Sequence, residues 1–112
     1  MYKESRTFVQ RVEESGKMRQ RYPERIPEII EPKTNAPPID KRKYMVPKEL
    51  TCGQLLYVIR NRLKMSPEEA LFLYLPSATI PASSAVMGDL HGKHKDEDGF
   101  LYMKYACENT FG

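Results

Sequence analysis

The sequence predicts an α+β domain: a four-stranded mixed sheet crossed by one long helix, with a helical extension in front. Three features carry that expectation. Thr51-Cys52-Gly53-Gln54 has capping-box spacing, and Cys52, Leu55, Leu56, Ile59 and Leu63 then recur at intervals of three and four, which marks a helix with a buried stripe. Two strand-like runs precede this helix at hairpin spacing, and two more follow it. A second capping box, Thr7-Phe8-Val9-Gln10, opens a helix ahead of them all.

In chain order, Phe8, Val12, Met18 and Tyr22 fall along one helix among charged residues, with a break expected near Gly16 and a stop at Pro23. Residues 25–31 read as a strand, and Pro27 implies that one of its edges is unpaired at that point. Asn35-Ala36-Pro37-Pro38 is turn material, and Lys43-Tyr44-Met45-Val46-Pro47 returns as the antiparallel partner. After the main helix, Ser66-Pro67-Glu68-Glu69 predicts a short helical turn and residues 71–75 a brief apolar strand. A proline-containing loop over 76–84 leads to a short helix carrying Met87, Leu90 and His94, and the turn 96–99 launches a last strand at Phe100. Without its opening helix the order is strand, strand, helix, strand, short helix, strand. That order matches the β-grasp arrangement of ubiquitin, whose last strand pairs in the middle of the sheet. The expected division is 1–22 helical extension, 23–107 ubiquitin-like core and 108–112 flexible tail.

Composition sets limits on function. A chain of 112 residues has room for one core, and 40% hydrophobic with 29% charged residues argues for an ordered fold over a disordered segment. No apolar run approaches the roughly 18 residues that span a bilayer, so membrane attachment is expected only through an added anchor or a partner. Cys52 and Cys107 are expected as thiols in a reducing compartment. The first 25 residues hold seven Lys and Arg against four Glu, a basic stretch that reads as a solvated helix face. No nucleic-acid motif accompanies it. Cys107, His91 and His94, with Cys52, are the residues that could supply a nucleophile, a base or metal ligands, but no Cys-x-x-Cys or His-Glu-x-x-His spacing is present. No enzymatic activity, cofactor or metal is expected.

The chain ends at Phe111-Gly112. A terminal glycine has no side chain beside its carboxylate, so a narrow enzyme channel can admit the backbone and activate the carboxyl for acyl transfer.

The blocks Arg21-Tyr22-Pro23-Glu24-Arg25-Ile26-Pro27, Asp40-Lys41-Arg42-Lys43-Tyr44-Met45-Val46-Pro47, Thr51-Cys52-Gly53-Gln54-Leu55, Met87-Gly88-Asp89-Leu90 and His94-Lys95-Asp96-Glu97-Asp98-Gly99-Phe100-Leu101-Tyr102 resemble successive segments of the autophagy ubiquitin-like modifiers. That family includes the GABA type A receptor-associated protein and the microtubule-associated protein light chain 3. The resemblance implies two N-terminal helices on a ubiquitin-like core, and a glycine, here Gly112, exposed by a cysteine protease. Enzymes of the ubiquitin activating and conjugating type would then join it to phosphatidylethanolamine. With Gly112 last, the chain resembles the processed form. The location implied is cytoplasmic, then the autophagosome membrane once lipidated, then the vacuole or lysosome.

The resemblance also implies capture of extended peptides, from cargo receptors and autophagy proteins, of the form aromatic, two variable residues, aliphatic. The aromatic pocket would take Glu14, Met18, Pro27, Ile29, Lys43, Met45 and Phe100, and the aliphatic pocket Tyr44, Val46, Pro47, Leu50, Leu55 and Val58. The strand at 43–46 would receive the peptide between them, with Tyr44 and Val46 on one face and Lys43 and Met45 on the other. Lys41, Lys43 and Arg62 would meet acidic residues flanking the motif. Several departures bear on partner choice. Glu28 stands where the family has an aliphatic residue, so either the strand shifts or the site lies near solvent. Leu75-Pro76-Ser77 and Ala82-Ser83 are unusual, and the loop 32–39 is shorter than in animal members. The rival reading is a non-conjugated adaptor whose basic opening helix docks on an acidic surface such as tubulin.

Overall fold

The computed structural model describes residues 1–107. Two helices open the chain, α1 (Tyr2–Ser5) and α2 (Phe8–Arg21). Then follow β1 (Arg25–Pro32), β2 (Lys43–Pro47), α3 (Cys52–Arg62), β3 (Phe72–Tyr74), α4 (Met87–His94) and β4 (Leu101–Ala106). The sheet order is β2-β1-β4-β3, antiparallel at β1–β2 and β3–β4 and parallel at β1–β4, which is the mixed sheet expected of a ubiquitin-like core.

Both capping boxes form. The Thr7 hydroxyl accepts the Gln10 amide at 3.1 Å while Gln10 Oε1 accepts the Thr7 amide at 2.9 Å, and Thr51 and Gln54 repeat the exchange at 3.2 and 2.9 Å. Each box satisfies donors that a helix start leaves without an intrahelical acceptor. The opening differs from the single interrupted helix that periodicity predicts. The interruption lies at Arg6, whose backbone is extended, and α2 runs unbroken through Gly16. Where the sequence predicts a short helical turn, residues 66–69 form one hydrogen-bonded turn, Glu69 N–H to Ser66 O at 3.2 Å. At Pro27 the expectation holds, because pairing to β4 begins only at Glu28.

The sheet carries apolar packing on both faces, so β1 is buried along nearly its whole length. Under α3 lies the larger core, built from Ile26 and Ile30 of β1, Tyr44 and Val46 of β2, Cys52, Leu55 and Ile59 of α3, Met87 and Leu90 of α4, and Leu101, Met103 and Tyr105 of β4. The opposite face carries a smaller cluster of Tyr2, Ile29 and Phe100, with Met18 and Tyr102 packed on it. Alternation along the strands decides this sorting, since neighbouring residues point to opposite faces.

Glu28 breaks the pattern. It pairs with Tyr44 on one side and Leu101 on the other without any slip of register, and it is 0% exposed. Neither sequence expectation for this residue holds: the strand is not shifted and the site is not near solvent. The residue is locked there because both neighbouring ladders continue in register past it.

Candidate functional site: the outer edge of β2

Strand β2 bonds to β1 alone, so among the described residues its other edge has no strand partner. An open edge of this kind offers backbone N–H and C=O groups to a further extended chain. The side chains alternate as expected: Tyr44 and Val46 are buried, Met45 is half-buried, and Lys43 and Pro47 are exposed.

On the α2 side, Phe100 and Ile29 form a fully buried floor. Tyr2 covers it, its ring edge-on to Phe100 at 5.5 Å between centroids, and Tyr102 meets Phe100 at 6.2 Å. Of the residues expected in the aromatic pocket, Phe100 and Ile29 are packed beneath Tyr2, Glu14, Met18 and Met45 are half-buried, and Lys43 is exposed. Pro27 is buried beside them. Glu14 ties three elements together. It accepts the Tyr2 hydroxyl from α1 and holds the Lys43 ammonium of β2 at 3.0 Å from its own place on α2. Burial alone would raise the Glu14 carboxyl, but the Tyr2 hydroxyl and Lys43 outweigh it and hold the group below the ordinary value. The Tyr2 amide donates to Glu31 Oε2 at 2.8 Å, and Arg42 reaches the same oxygen at 3.1 Å.

The helical layer is fastened most densely at Asp98, which is 1% exposed. Its carboxylate takes Arg11 of α2 at 2.6 Å, the Tyr102 hydroxyl at 2.5 Å and the Phe100 amide at 2.9 Å, while its carbonyl accepts the Ser15 hydroxyl at 2.5 Å. Gly99 makes this approach possible. Its φ is +94°, and a Cβ there would stand 2.5 Å from Ser15 Oγ.

On the α3 side, a groove of about 630 Å³ is lined by Leu50, Gln54, Tyr57 and Val58 together with small polar residues, and no charged side chain lines it. Leu50 and Val58, both expected in the aliphatic pocket, line this groove. Tyr44, Val46 and Leu55, expected beside them, are members of the main core at 7%, 3% and 1% exposure. Leu50, which lines the groove, packs against that core. The resemblance assigns these residues to the pocket, and the period-2 and period-3.6 patterns of the sequence give only their face and not their depth.

The expected basic rim is already engaged internally. Arg62 holds Asp40 at 3.1 Å and stacks over the Tyr44 ring at 5.6 Å, and Lys41 lies 5.1 Å from the same ring. Burial pushes the Tyr44 hydroxyl up to about 12, and it donates to Lys41 O at 2.6 Å. Tyr2, Asp98 and Tyr57 are the site residues that sequence reasoning misses. Tyr2 belongs to a four-residue helix too short to show periodicity, and the Arg11–Asp98 pair spans most of the chain. Elsewhere, His91 is buried with Nε2 on Gly99 O at 2.8 Å, and Cys52 is a core residue. Among the described residues no group of three or more His, Cys, Asp or Glu is placed to hold a metal ion. Gly112 and the tail 108–112 lie outside the described residues.

Comparison with known proteins agrees with this architecture. The family described as autophagy protein Atg8, ubiquitin like, matches residues 10–112. Autophagy-related protein 8 of Mycosarcoma maydis is 49% identical over 99% of this chain and 95% of its own length. Autophagy-related protein 8d of Arabidopsis thaliana is 46% identical over 99% and 93%. The crystal structure of Trypanosoma brucei ATG8 superposes with a TM-score of 0.91 at 47% identity, covering 99% of this chain and 97% of that one. With the β-grasp core, the helical layer and a match running through nearly the whole sequence, the chain belongs to the Atg8 family of autophagy ubiquitin-like proteins.

Proposed function

We propose that this protein is a conjugated modifier and not an enzyme. Its Gly112 is the acyl donor to the amine of phosphatidylethanolamine on autophagic membranes, and the outer edge of β2 captures aromatic-x-x-aliphatic segments of cargo receptors. A cysteine protease and activating and conjugating enzymes of the ubiquitin type handle the glycine. The observation that carries the peptide half is the open β2 edge, with the Lys43–Glu14 pair on its α2 side and, three residues beyond the strand, Leu50 leading into an uncharged groove along α3. That asymmetry suits a ligand that is acidic near its aromatic residue and apolar at its aliphatic one. The conjugation half is supported by family membership, whose match includes Gly112. No helix among the described residues is long and apolar enough to cross a membrane, which accords with attachment through an added lipid. One phospholipid brings two acyl chains, and at about 0.8 kcal/mol per buried methylene two chains anchor a domain stably where one is marginal.

The test is reconstitution with the activating and conjugating enzymes and phosphatidylethanolamine vesicles, read by intact mass. The wild type should gain one lipid, and Gly112→Ala should fold and bind peptide yet form no thioester. Lipidation of Gly112→Ala at the wild-type rate would exclude the conjugation reading and leave a non-covalent adaptor.

A further inference from the structure

We propose that Glu28 is a proton switch on edge strand β2: uncharged beneath α3 it keeps the β1–β2 pair closed, and its ionisation releases that pair. The residue sits mid-strand in β1, and its side chain shares a face with Ile26 and Ile30, directed into the core. It is 0% exposed, and neither carboxyl oxygen has a hydrogen-bond partner among the described residues. An ionised carboxylate in such a place has no compensating charge or donor, so it must stay protonated or reach water.

Every neighbouring element fails to supply a partner. Directly opposite on β2, the Tyr44 hydroxyl spends its proton on Lys41 O. The cations of that neighbourhood, Lys41 and Arg62, are engaged on the Tyr44 ring, and Arg62 also on Asp40. From α3 the titratable group is the buried Cys52 thiol, which burial and then the Glu28 charge push up to about 11. On β4 the paired residue is Leu101, and Tyr105 farther along donates to Pro37 O. Helix α4 gives Met87 and Leu90 to this core, while its His91 is turned to Gly99 O. Burial accordingly holds the Glu28 carboxyl up at about 8.

The route to water runs past β2. Strand β4 is fixed between β1 and β3, whereas β2 is held by one ladder only, so lifting β2 is the smaller disruption that exposes Glu28. The closed state binds a proton that the open state releases at the ordinary carboxyl value. The open population therefore rises about tenfold per pH unit between those two values. Reciprocally, a ligand that clamps β2 in place is bound more tightly as pH falls; that consequence, unlike the switch, rests on the proposed groove.

Amide hydrogen exchange on the free protein tests the switch without any peptide. Protection factors, corrected for intrinsic exchange, are measured from pH 6 to 8.5 for the wild type, Glu28→Gln and Glu28→Leu. The expected result is a fall of about tenfold per pH unit up to about pH 8 in amides shared by β1 and β2, a smaller change in the β1–β4 ladder, and flat profiles in both variants. Three results would overturn it: a flat wild-type profile, a slope that survives in either variant, or both ladders falling together.

Discussion

The two faces of the sheet each bury a carboxyl group and treat it in opposite ways. On the α2 side, Asp98 receives a guanidinium, a phenol and a backbone amide, and through it the helical layer is fastened to the core. On the α3 side, Glu28 sits among aliphatic side chains with neither oxygen bonded. The first arrangement is a small apolar cluster held by polar links, and the second is a large apolar core interrupted by one polar group. The difference teaches that the two sides of the β2 edge are stabilised by different physics, so the same perturbation should move them apart.

The largest effect is expected at Asp98. Asp98→Ala removes the nearer carboxylate of half-buried Arg11, leaving it only Asp96 at 4.0 Å, and strips the acceptor from the Tyr102 hydroxyl and the buried Phe100 amide, which should cost about 3 kcal/mol. Chemical denaturation would measure the cost. Exchange protection in α2 should fall before protection in α3 does, and equal loss in both layers would contradict the idea of separate fastening.

Glu28→Leu tests the opposite face and should act in the opposite direction. Replacing an unbonded polar group by an aliphatic one removes its desolvation penalty, worth about 1–3 kcal/mol, so the melting temperature should rise. The pH dependence sharpens the contrast. Because the folded Glu28 carboxyl is raised to about 8, wild-type stability from this group is full below the ordinary carboxyl value and is lost as pH rises towards about 8. Glu14 and Asp96 behave in reverse. Burial opposes their ionisation, but Tyr2 and Lys43, and Lys3 with the Asp98 amide, hold them lowered, so their stabilisation is present at neutral pH and lost in acid. Melting curves should show Glu28→Leu gaining most over wild type at mildly alkaline pH, and a gain that does not shrink as pH is lowered would refute the assignment.

How much of this is legible in the sequence follows from the range of each interaction. The hairpin and α3 can be read because capping boxes and apolar spacing are local signals. The sidedness of β2 can be read because alternation is strict. Tyr2 and Asp98 cannot, since their roles depend on partners brought together only by the fold. Glu28 is an intermediate case. The sequence marks it as anomalous, but its burial depends on two ladders staying in register around it. Tyr44, Val46 and Leu55 show the same limit, since pattern gives their face but only packing sets their depth in the core.

The smallest effect is expected from Lys43→Ala. Its pair with Glu14 at 3.0 Å is partly exposed, so the loss of stability should stay under about 1 kcal/mol. Association with an acidic-flanked peptide should slow measurably, because rim charges act on encounter more than on retention. An unchanged on-rate in stopped-flow binding would remove Lys43 from the recognition surface.

The most direct measurement on the functional reading is an amide NMR titration with an aromatic-x-x-aliphatic peptide carrying an acidic residue ahead of its aromatic one. Shifts should concentrate along Lys43 to Pro47 and extend to Met18 on one side and to Leu50 and Val58 on the other, with new exchange protection on the outer amides of β2. Shifts centred on β3, or on the outer face of α2 with β2 unchanged, would contradict the placement of the peptide on this edge.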